Sequence, residues 1–204
     1  MSQTKAQLIS DLVQALNFTG TASAPANGVF LSATNTLAFA TNSGSRVTID
    51  SNGKATFSVD GVFNSVNIGK GANSVAGNTV LGQSALDASV TGDLNTAIGK
   101  QSLGSNTSGA NNTAVGFQTI FDNTTGGNNT AIGVQALANN TTASNNTGAG
   151  YGALFLNTTG ANNTALGSNS LTLNTTGGSN TACGDQSLEA NTTGVANAAF
   201  GAEA

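Results

Sequence analysis

The sequence predicts an all-β protein, a repeat β-solenoid or β-roll that follows a short N-terminal helix and a small β module. Three observations support this fold class. From Asn78 onward, an Asn begins a new unit every 17 residues, which gives seven full units over residues 78–196 and a partial unit over 197–204. One position of the unit is always Gly, and two others are always apolar. Repeats of this length are typical of solenoids with one coil per unit.

The unit reads N-T-A-φ-G-x-x-(A/S)-L-x-x-N-T-T-G-x-N, where φ is apolar, and each of its 17 positions forms a column through the array. Column five contains only Gly, which indicates positive φ or a close backbone approach at a corner. Columns three and eight contain almost only Ala, Ser, Thr or Gly, which fits a tight interior. The N-T-T-G stretch is typical of turns, because Asn bonds its own backbone and Gly adopts unusual dihedral angles.

Columns four and nine are predicted to be two buried apolar ladders. Column four contains Leu81, Ile98, Val115, Ile132, Ala149, Leu166, Cys183 and Phe200. Column nine contains Leu86, Leu103, Ile120, Leu137, Leu154, Leu171 and Leu188. We therefore predict that each unit forms a strand, a Gly corner, a second strand and an Asn-rich turn. A helix is the poorer alternative, because Gly and Asn recur too often and no apolar stripe of helical period survives.

The chain is predicted to contain three regions: an N-terminal helical attachment segment at 1–20, a linker and small β module at 21–63, and the solenoid array at 64–204. In the first region, the apolar residues that lie at helical spacing are Leu8, Ile9, Leu12, Val13 and Leu16. One narrow stripe on a short helix is marginal by itself, so we expect the helix to dock or to bundle. Alternating runs at 29–31, 36–41, 46–50 and 54–59 predict the strands of the β module, with a hairpin turn at 50–53.

The composition excludes most enzyme classes. Charged residues make up 7% of the chain, which has no His, one Cys, five basic residues and a net charge of −4. Zinc sites usually need His and Cys ligands, and base-assisted Ser or Cys catalysis usually needs a His. Binding of nucleic acid by phosphate neutralisation needs more basic residues. We therefore expect the protein not to be an enzyme, and we assign no catalytic, cofactor-binding or metal-binding residues.

Individual reactive residues have simpler structural explanations. Cys183 lies in column four, where a small core hydrophobe is expected. The five acids occupy no common column, which leaves paired catalytic carboxylates unsupported; they are Asp87, Asp93, Asp122, Asp185 and Glu189. Triplets such as 123–125 match glycosylation acceptors formally, but no secretion signal is predicted, so we interpret them as turn residues. No run of 18 apolar residues occurs, so we expect no membrane insertion.

The small core of each coil predicts an oligomer. Two large apolar side chains per coil bury too little surface to offset the ordering of 17 residues. Neighbouring chains that bury column nine together would supply the missing core. We therefore predict a homotrimer packed along its axis.

Two stretches resemble known viral proteins. The residues 95–103 (NTAIGKQSL), 106–116 (NTSGANNTAVG) and their copies resemble the N-T-A-φ-G repeats of bacteriophage tail-fibre proteins. They are also similar, with a longer turn, to the S-φ-A-φ-G repeats in the heads of trimeric autotransporter adhesins. The run 37–53 looks like the short β motif that often precedes such repeats in phage fibres. The resemblance implies a trimeric, intertwined β-solenoid shaft.

The leading functional hypothesis is a structural fibre (shaft) of a bacteriophage virion, either a tail fibre or a head fibre, that supports host attachment. It implies location in the virion, contacts with other virion proteins through the N-terminal segment, and a receptor on the host surface. The chain shows no membrane-anchor barrel and stops mid-repeat at Ala204, so we expect one segment of a fibre, or a short fibre on a capsid or tail, rather than an autotransporter.

Two alternatives remain open, a capsid decoration protein and an ice- or glycan-binding β-solenoid that uses a column of Thr. The Thr column considered for such a face contains Thr124, Thr141, Thr158, Thr175 and Thr192. The Gly and Asn residues around this column favour loops over a flat strand face.

Overall fold

A computed structural model describes residues 66–88 and 90–204 in full and, before them, the backbone of five strands between residues 27 and 63. The predicted N-terminal helix and the linker after it lie outside the described residues. The chain divides into two compact units, residues 1–59 and 60–204.

The first unit contains a four-stranded antiparallel sheet in the order β1-β2-β3-β4. Its strands are β1 (Asn27–Ala33), β2 (Thr36–Thr41), β3 (Gly44–Ile49) and β4 (Ala55–Phe57). They agree with the four alternating runs of the predicted β module. Strands β3 and β4 pair from Val47↔Phe57 to Ile49↔Ala55, which is the pairing expected of the predicted hairpin.

The second unit contains a ten-stranded sheet in which β5 to β14 follow one another in chain order. Strands β5 (Gly61–Phe63), β6 (Val66–Gly69) and β7 (Thr79–Gly82) pair antiparallel, and a 3₁₀ turn at Ala72–Ser74 connects β6 to β7. From β7 onward all pairs are parallel. The remaining strands are β8 (Thr96–Ile98), β9 (Thr113–Val115), β10 (Thr130–Ile132), β11 (Thr147–Ala149), β12 (Thr164–Leu166), β13 (Thr181–Cys183) and β14 (Ala198–Phe200).

Each parallel pair joins the same columns of consecutive units, as in Thr113↔Thr130 and Val115↔Ile132. The repeat therefore forms a β-solenoid with one coil per 17-residue unit, as the sequence predicts. At a strand spacing of ~4.8 Å, seven coils extend over roughly 34 Å.

Each full coil from β8 onward contains one three-residue strand, in columns two to four, and the predicted second strand is wrong. The chain between columns six and eleven instead forms turns, in which the residues of columns seven and nine have left-handed backbone angles. In the fourth coil these are Gln135 (φ 58°) and Leu137 (φ 53°). Left-handed residues bend the chain sharply, and a coil of only 17 residues closes because of such bends. The turns still bond to neighbouring coils, since Gln135 N–H donates to the Phe117 carbonyl and Leu137 N–H to the Ala153 carbonyl, both at 2.9 Å.

The predicted column nine ladder is confirmed as the apolar core. The side chains from Leu86 to Leu171 in this column are fully buried within the coils of their own chain, and Leu188 of the last full coil packs against them. The argument for a trimer assumed that neighbouring chains bury column nine between them. This assumption is wrong, because the column is already buried within each chain. Columns three and eight are buried as well, which confirms the tight interior predicted from their small residues.

The prediction that column four is buried is wrong. Ile132 is 51% exposed and Phe200 is 72% exposed, whereas Ala131 of column three is fully buried. Successive side chains of a strand point to opposite faces, so only one of columns three and four can face the interior. The interior of a 17-residue coil already holds a leucine and two asparagines, and it accepts the alanine rather than the larger residue.

Two columns of asparagine occupy the rest of the interior. In column one, Asn112 Nδ2 donates to the Gly126 carbonyl at 2.9 Å and Asn112 Oδ1 accepts from the Asn129 N–H at 3.0 Å. In column twelve, Asn123 Nδ2 donates to that same Gly126 carbonyl at 2.9 Å and to Asn106 Oδ1 at 2.7 Å. No buried side-chain polar atom of the described residues lacks a partner. The polar interior is thus fully satisfied, which is the condition for burying amides without a large penalty.

The Gly corner of column five is confirmed. Gly133 has a φ of +129°, and a Cβ on it would lie 2.5 Å from the carbonyl oxygen of Gly150 in the next coil. Both requirements, an unusual backbone angle and close approach of another backbone, exclude larger residues.

Candidate functional site

The outward face of the parallel sheet is a regular surface of the solenoid, and we call it the strand face. It consists of columns two and four, whose side chains are exposed or half-buried. Neither column contains a charged residue. Column four contributes the eight apolar residues named above, and column two contributes Thr79, Thr96, Thr113, Thr130, Thr147, Thr164, Thr181 and Ala198.

The strand face is a continuous apolar stripe beside a row of threonine hydroxyls. Leu81, Ile132 and Leu166 are each 40–51% exposed, and Phe200 ends the stripe at 72%. No described residue forms a hydrogen bond with the hydroxyls of column two, so these point to solvent. An uninterrupted apolar stripe on a protein surface marks an interaction site more often than scattered apolar residues do.

The strand face was not predicted from the sequence, because the apolar residues of column four were expected to lie in the interior of the coil. The alternation of a small and a large residue in columns three and four could have indicated it, since a strand must send one of them outward.

The Thr column considered as a flat binding face lies elsewhere and has a structural role. The hydroxyls of Thr124, Thr141 and Thr158 donate at 3.0–3.1 Å to the backbone carbonyl of the corresponding Thr in the next coil. These residues lie in bends and are half-buried. Their hydroxyl protons are therefore used within the solenoid, and the exposed row of Thr on a strand is column two.

Cys183 and the acidic residues do not come together as a reactive site. Cys183 is a free, half-buried thiol in column four, and its side chain belongs to the strand face rather than to the core. Asp87, Asp93 and Asp185 are exposed, while Asp122 and Glu189 are half-buried in different columns. Within residues 66–88 and 90–204, no three His, Cys, Asp or Glu side chains are grouped as metal ligands.

Formal glycosylation triplets such as 123–125, which begin in column twelve, have a buried acceptor. Asn123, Asn140 and Asn157 are fully buried in column twelve, and their amide nitrogens donate hydrogen bonds inside the coil. The folded solenoid therefore does not present these nitrogens for modification, in agreement with their interpretation as turn residues.

In the part of the chain that the structure describes, no helix has the length and apolar character needed to span a bilayer. No protein-family model, curated protein or solved structure matches the chain.

Proposed function

We propose that the chain is a non-enzymatic structural fibre element of a bacteriophage virion, in which the solenoid forms the shaft and supports host attachment. The observation that carries this proposal is the strand face, an uncharged apolar stripe running the length of a rod. The resemblance of the N-T-A-φ-G repeats to those of phage tail fibres supports the viral assignment.

The connections between coils suit a shaft. Adjacent coils are joined by backbone hydrogen bonds at several points around each turn, for example Thr113 N–H to the Asn129 carbonyl and Gly133 N–H to the Val115 carbonyl, both at 2.8 Å. The asparagine columns add buried side-chain bonds at each step. Backbone bonds of the same kind recur from coil to coil, so each coil is held by its neighbours.

The strand face favours a trimer of parallel chains. Parallel alignment places identical columns of equal spacing against one another, so apolar side chains meet apolar side chains along the whole rod. A stripe of roughly 34 Å by 10 Å buries about 340 Å² per chain and about 1,000 Å² over three chains together, so each pairwise contact through this face alone is smaller than a standard specific interface. The contact between chains is column four, and each chain keeps its own column nine core.

Sedimentation equilibrium of the full chain tests this assembly. A parallel trimer gives about three times the 19.9 kDa monomer mass. The double variant Ile132→Asp/Leu166→Asp should sediment as a folded monomer, because it places charges on the strand face without touching the core. Thr142→Asp, in the exposed column fourteen, is the matched control and should remain trimeric. A monomeric wild-type chain contradicts the trimer.

Location on the particle tests the viral role. An image of virions that carry a labelled copy of this chain should place it in a tail or head fibre. Label spread over the capsid surface would favour the alternative of a capsid decoration protein, and particles without label would contradict both.

A second candidate function is supported by column two. Its threonine hydroxyls form a row at strand spacing on a parallel sheet beside apolar side chains, and such a regular row is a candidate for ordering water or ice. A thermal-hysteresis assay of the wild-type chain and of Thr113→Lys/Thr130→Lys separates the two functions. Clear hysteresis that the double variant abolishes would favour ice binding over the fibre role.

A further inference from the structure

We propose that the fifth coil, residues 146–162, carries a binding site for one neutral pyranose ring. The site is a cavity of about 120 Å³ lined by Gln135, Tyr151, Gly152, Phe155, Asn169 and Thr172. None of these residues belongs to column two or four. The proposal therefore goes beyond the fibre function and holds for a monomer as well as for a trimer.

The cavity arises where the fifth coil departs from its own repeat. Column seven contains glutamine in the three preceding coils. These side chains form a ladder in which Gln118 Nε2 donates to Gln101 Oε1 at 3.4 Å and Gln135 Nε2 donates to Gln118 Oε1 at 3.3 Å. The fifth coil has Gly152 in this column, with the same left-handed backbone (φ 61°). The missing side chain interrupts the ladder and opens the cavity.

The interruption leaves polar groups without protein partners at the cavity. Gln135 Oε1 would accept from the next amide of the ladder, and it has no donor among the described residues. No described residue bonds to the side-chain amide of Asn169, whose Oδ1 lies 2.7 Å from where a Cβ on Gly152 would stand. Thr172 Oγ1 donates to the Gly152 carbonyl at 2.9 Å and keeps its acceptor capacity. Acceptors and amide donors thus surround a space of suitable size for hydroxyl groups.

Two aromatic rings supply the apolar part of the site. Tyr151 is 57% exposed and Phe155 is half-buried at the same cavity. The negative face of an aromatic ring attracts the weakly positive C–H groups on one side of a pyranose, while the ring hydroxyls reach amides at its edge. Small-molecule sites usually combine apolar walls with a small number of precisely placed polar groups.

Size and charge restrict the ligand class. A volume of about 120 Å³ corresponds to roughly four water molecules, well below the ~300 Å³ of pockets that enclose larger ligands. The cavity thus takes part of one sugar ring and not an extended cofactor. No charged residue lines it, which favours a neutral hexose over an acidic or phosphorylated sugar.

Saturation-transfer NMR on the full chain, with glucose, galactose and N-acetylglucosamine as separate probes, tests the site. We expect transfer from the protein to ring protons of at least one probe. Gly152→Gln should reduce this transfer at least tenfold, because it restores the glutamine of the coil before and fills the cavity, with the end of the flexible Asn169 side chain displaced by the new Cβ. Tyr151→Ala should reduce it similarly through loss of the aromatic face.

Phe117→Ala is the matched control, since Phe117 is an exposed aromatic residue of the same column as Tyr151 but lies two coils earlier and outside the cavity. The saturation transfer measured with Phe117→Ala should equal that of the wild type, and melting curves should show that all three variants fold. The absence of transfer to all three sugars, or transfer that Gly152→Gln leaves unchanged, would overturn the proposal. Because the sedimentation experiment measures mass alone, failure of the trimer and failure of the sugar site are distinguishable.

Discussion

Asn112 Oδ1 accepts two hydrogen bonds from Asn129, from its backbone N–H at 3.0 Å and from its Nδ2 at 3.1 Å. Both residues belong to column one, one coil apart, and both are fully buried. The Asn129 Nδ2 also donates to the Ala143 carbonyl of its own coil at 2.9 Å. One side chain therefore closes its own coil and joins it to the coil before, which explains why an asparagine begins every unit.

Asn129→Ala is expected to destabilise the solenoid by about 1–3 kcal/mol, which is the cost of leaving one buried group without a partner. The substitution removes the Nδ2 donor from Asn112 Oδ1 and from the Ala143 carbonyl, and it deprives the Asn146 N–H of its acceptor; the backbone N–H of residue 129 still donates to Asn112 Oδ1. Urea denaturation followed by circular dichroism measures the change. Thr142→Ala, at an exposed position of the same coil, should alter stability by less than about 0.5 kcal/mol. Equal midpoints for the two variants would show that the asparagine column contributes little.

Gly133→Val is expected to disrupt the array, because a β-branched residue at a φ of +129° is a severe outlier and its Cβ would lie 2.5 Å from the Gly150 carbonyl oxygen. Asn139→Ser, at the variable eleventh position of the same unit, should leave the melting temperature nearly unchanged, because the Asn139 backbone N–H still donates to the Phe155 carbonyl. Thermal melts of the two variants check both expectations. A Gly133→Val protein that melts with the wild type would contradict the assignment of the corner.

Gly148→Ala is expected to stabilise the protein by about 0.5–1 kcal/mol, since alanine restricts the unfolded chain. Gly148 lies in column three, where most other coils have alanine. The atoms nearest to a Cβ there would belong to Ala153 and Leu137 at 3.4–3.6 Å, which are ordinary contact distances. Gly150→Ala is the contrasting variant, because a Cβ on Gly150, at a φ of +140°, would collide with the Gly167 carbonyl oxygen. Calorimetry should show opposite shifts in melting temperature, and a fall for Gly148→Ala would contradict the packing described for column three.

Deletion of residues 1–20 is expected to leave a folded solenoid that no longer joins assembled particles. This expectation comes from the narrow apolar stripe of the predicted helix, which lies outside the described residues. Gel filtration and a particle-incorporation assay together check it. An intact oligomer that fails to incorporate supports an anchoring role, whereas monomers or aggregates would mean that the helix nucleates assembly as a short coiled coil. Normal incorporation of the truncated chain would contradict anchoring.

The local constraints of the repeat were readable from the sequence. The column that contains Gly133 is Gly in every unit, which indicates a backbone position that excludes a side chain. The column that contains Leu137 is apolar in every unit, which indicates a core. The left-handed backbone of Leu137 could not be predicted, because leucine rarely adopts it and only closure of a short coil requires it. The cavity beside Tyr151 was also not predictable. Gly152 is a visible departure from the repeat, but columns six, seven and ten become neighbours only in the folded coil.

The sequence by itself determined the period, the all-β class, the Gly corner and the apolar core of column nine, because each follows from residue types that tolerate one environment. Only the tertiary structure decided which of Ala131 and Ile132 faces inward and where the asparagines lie. Hydrophobicity favours burying the isoleucine and exposing the amides. The cross-section of a 17-residue coil reverses that choice, because the stacked asparagines satisfy one another and leave room in column three for alanine or, in the first coil, for Val80.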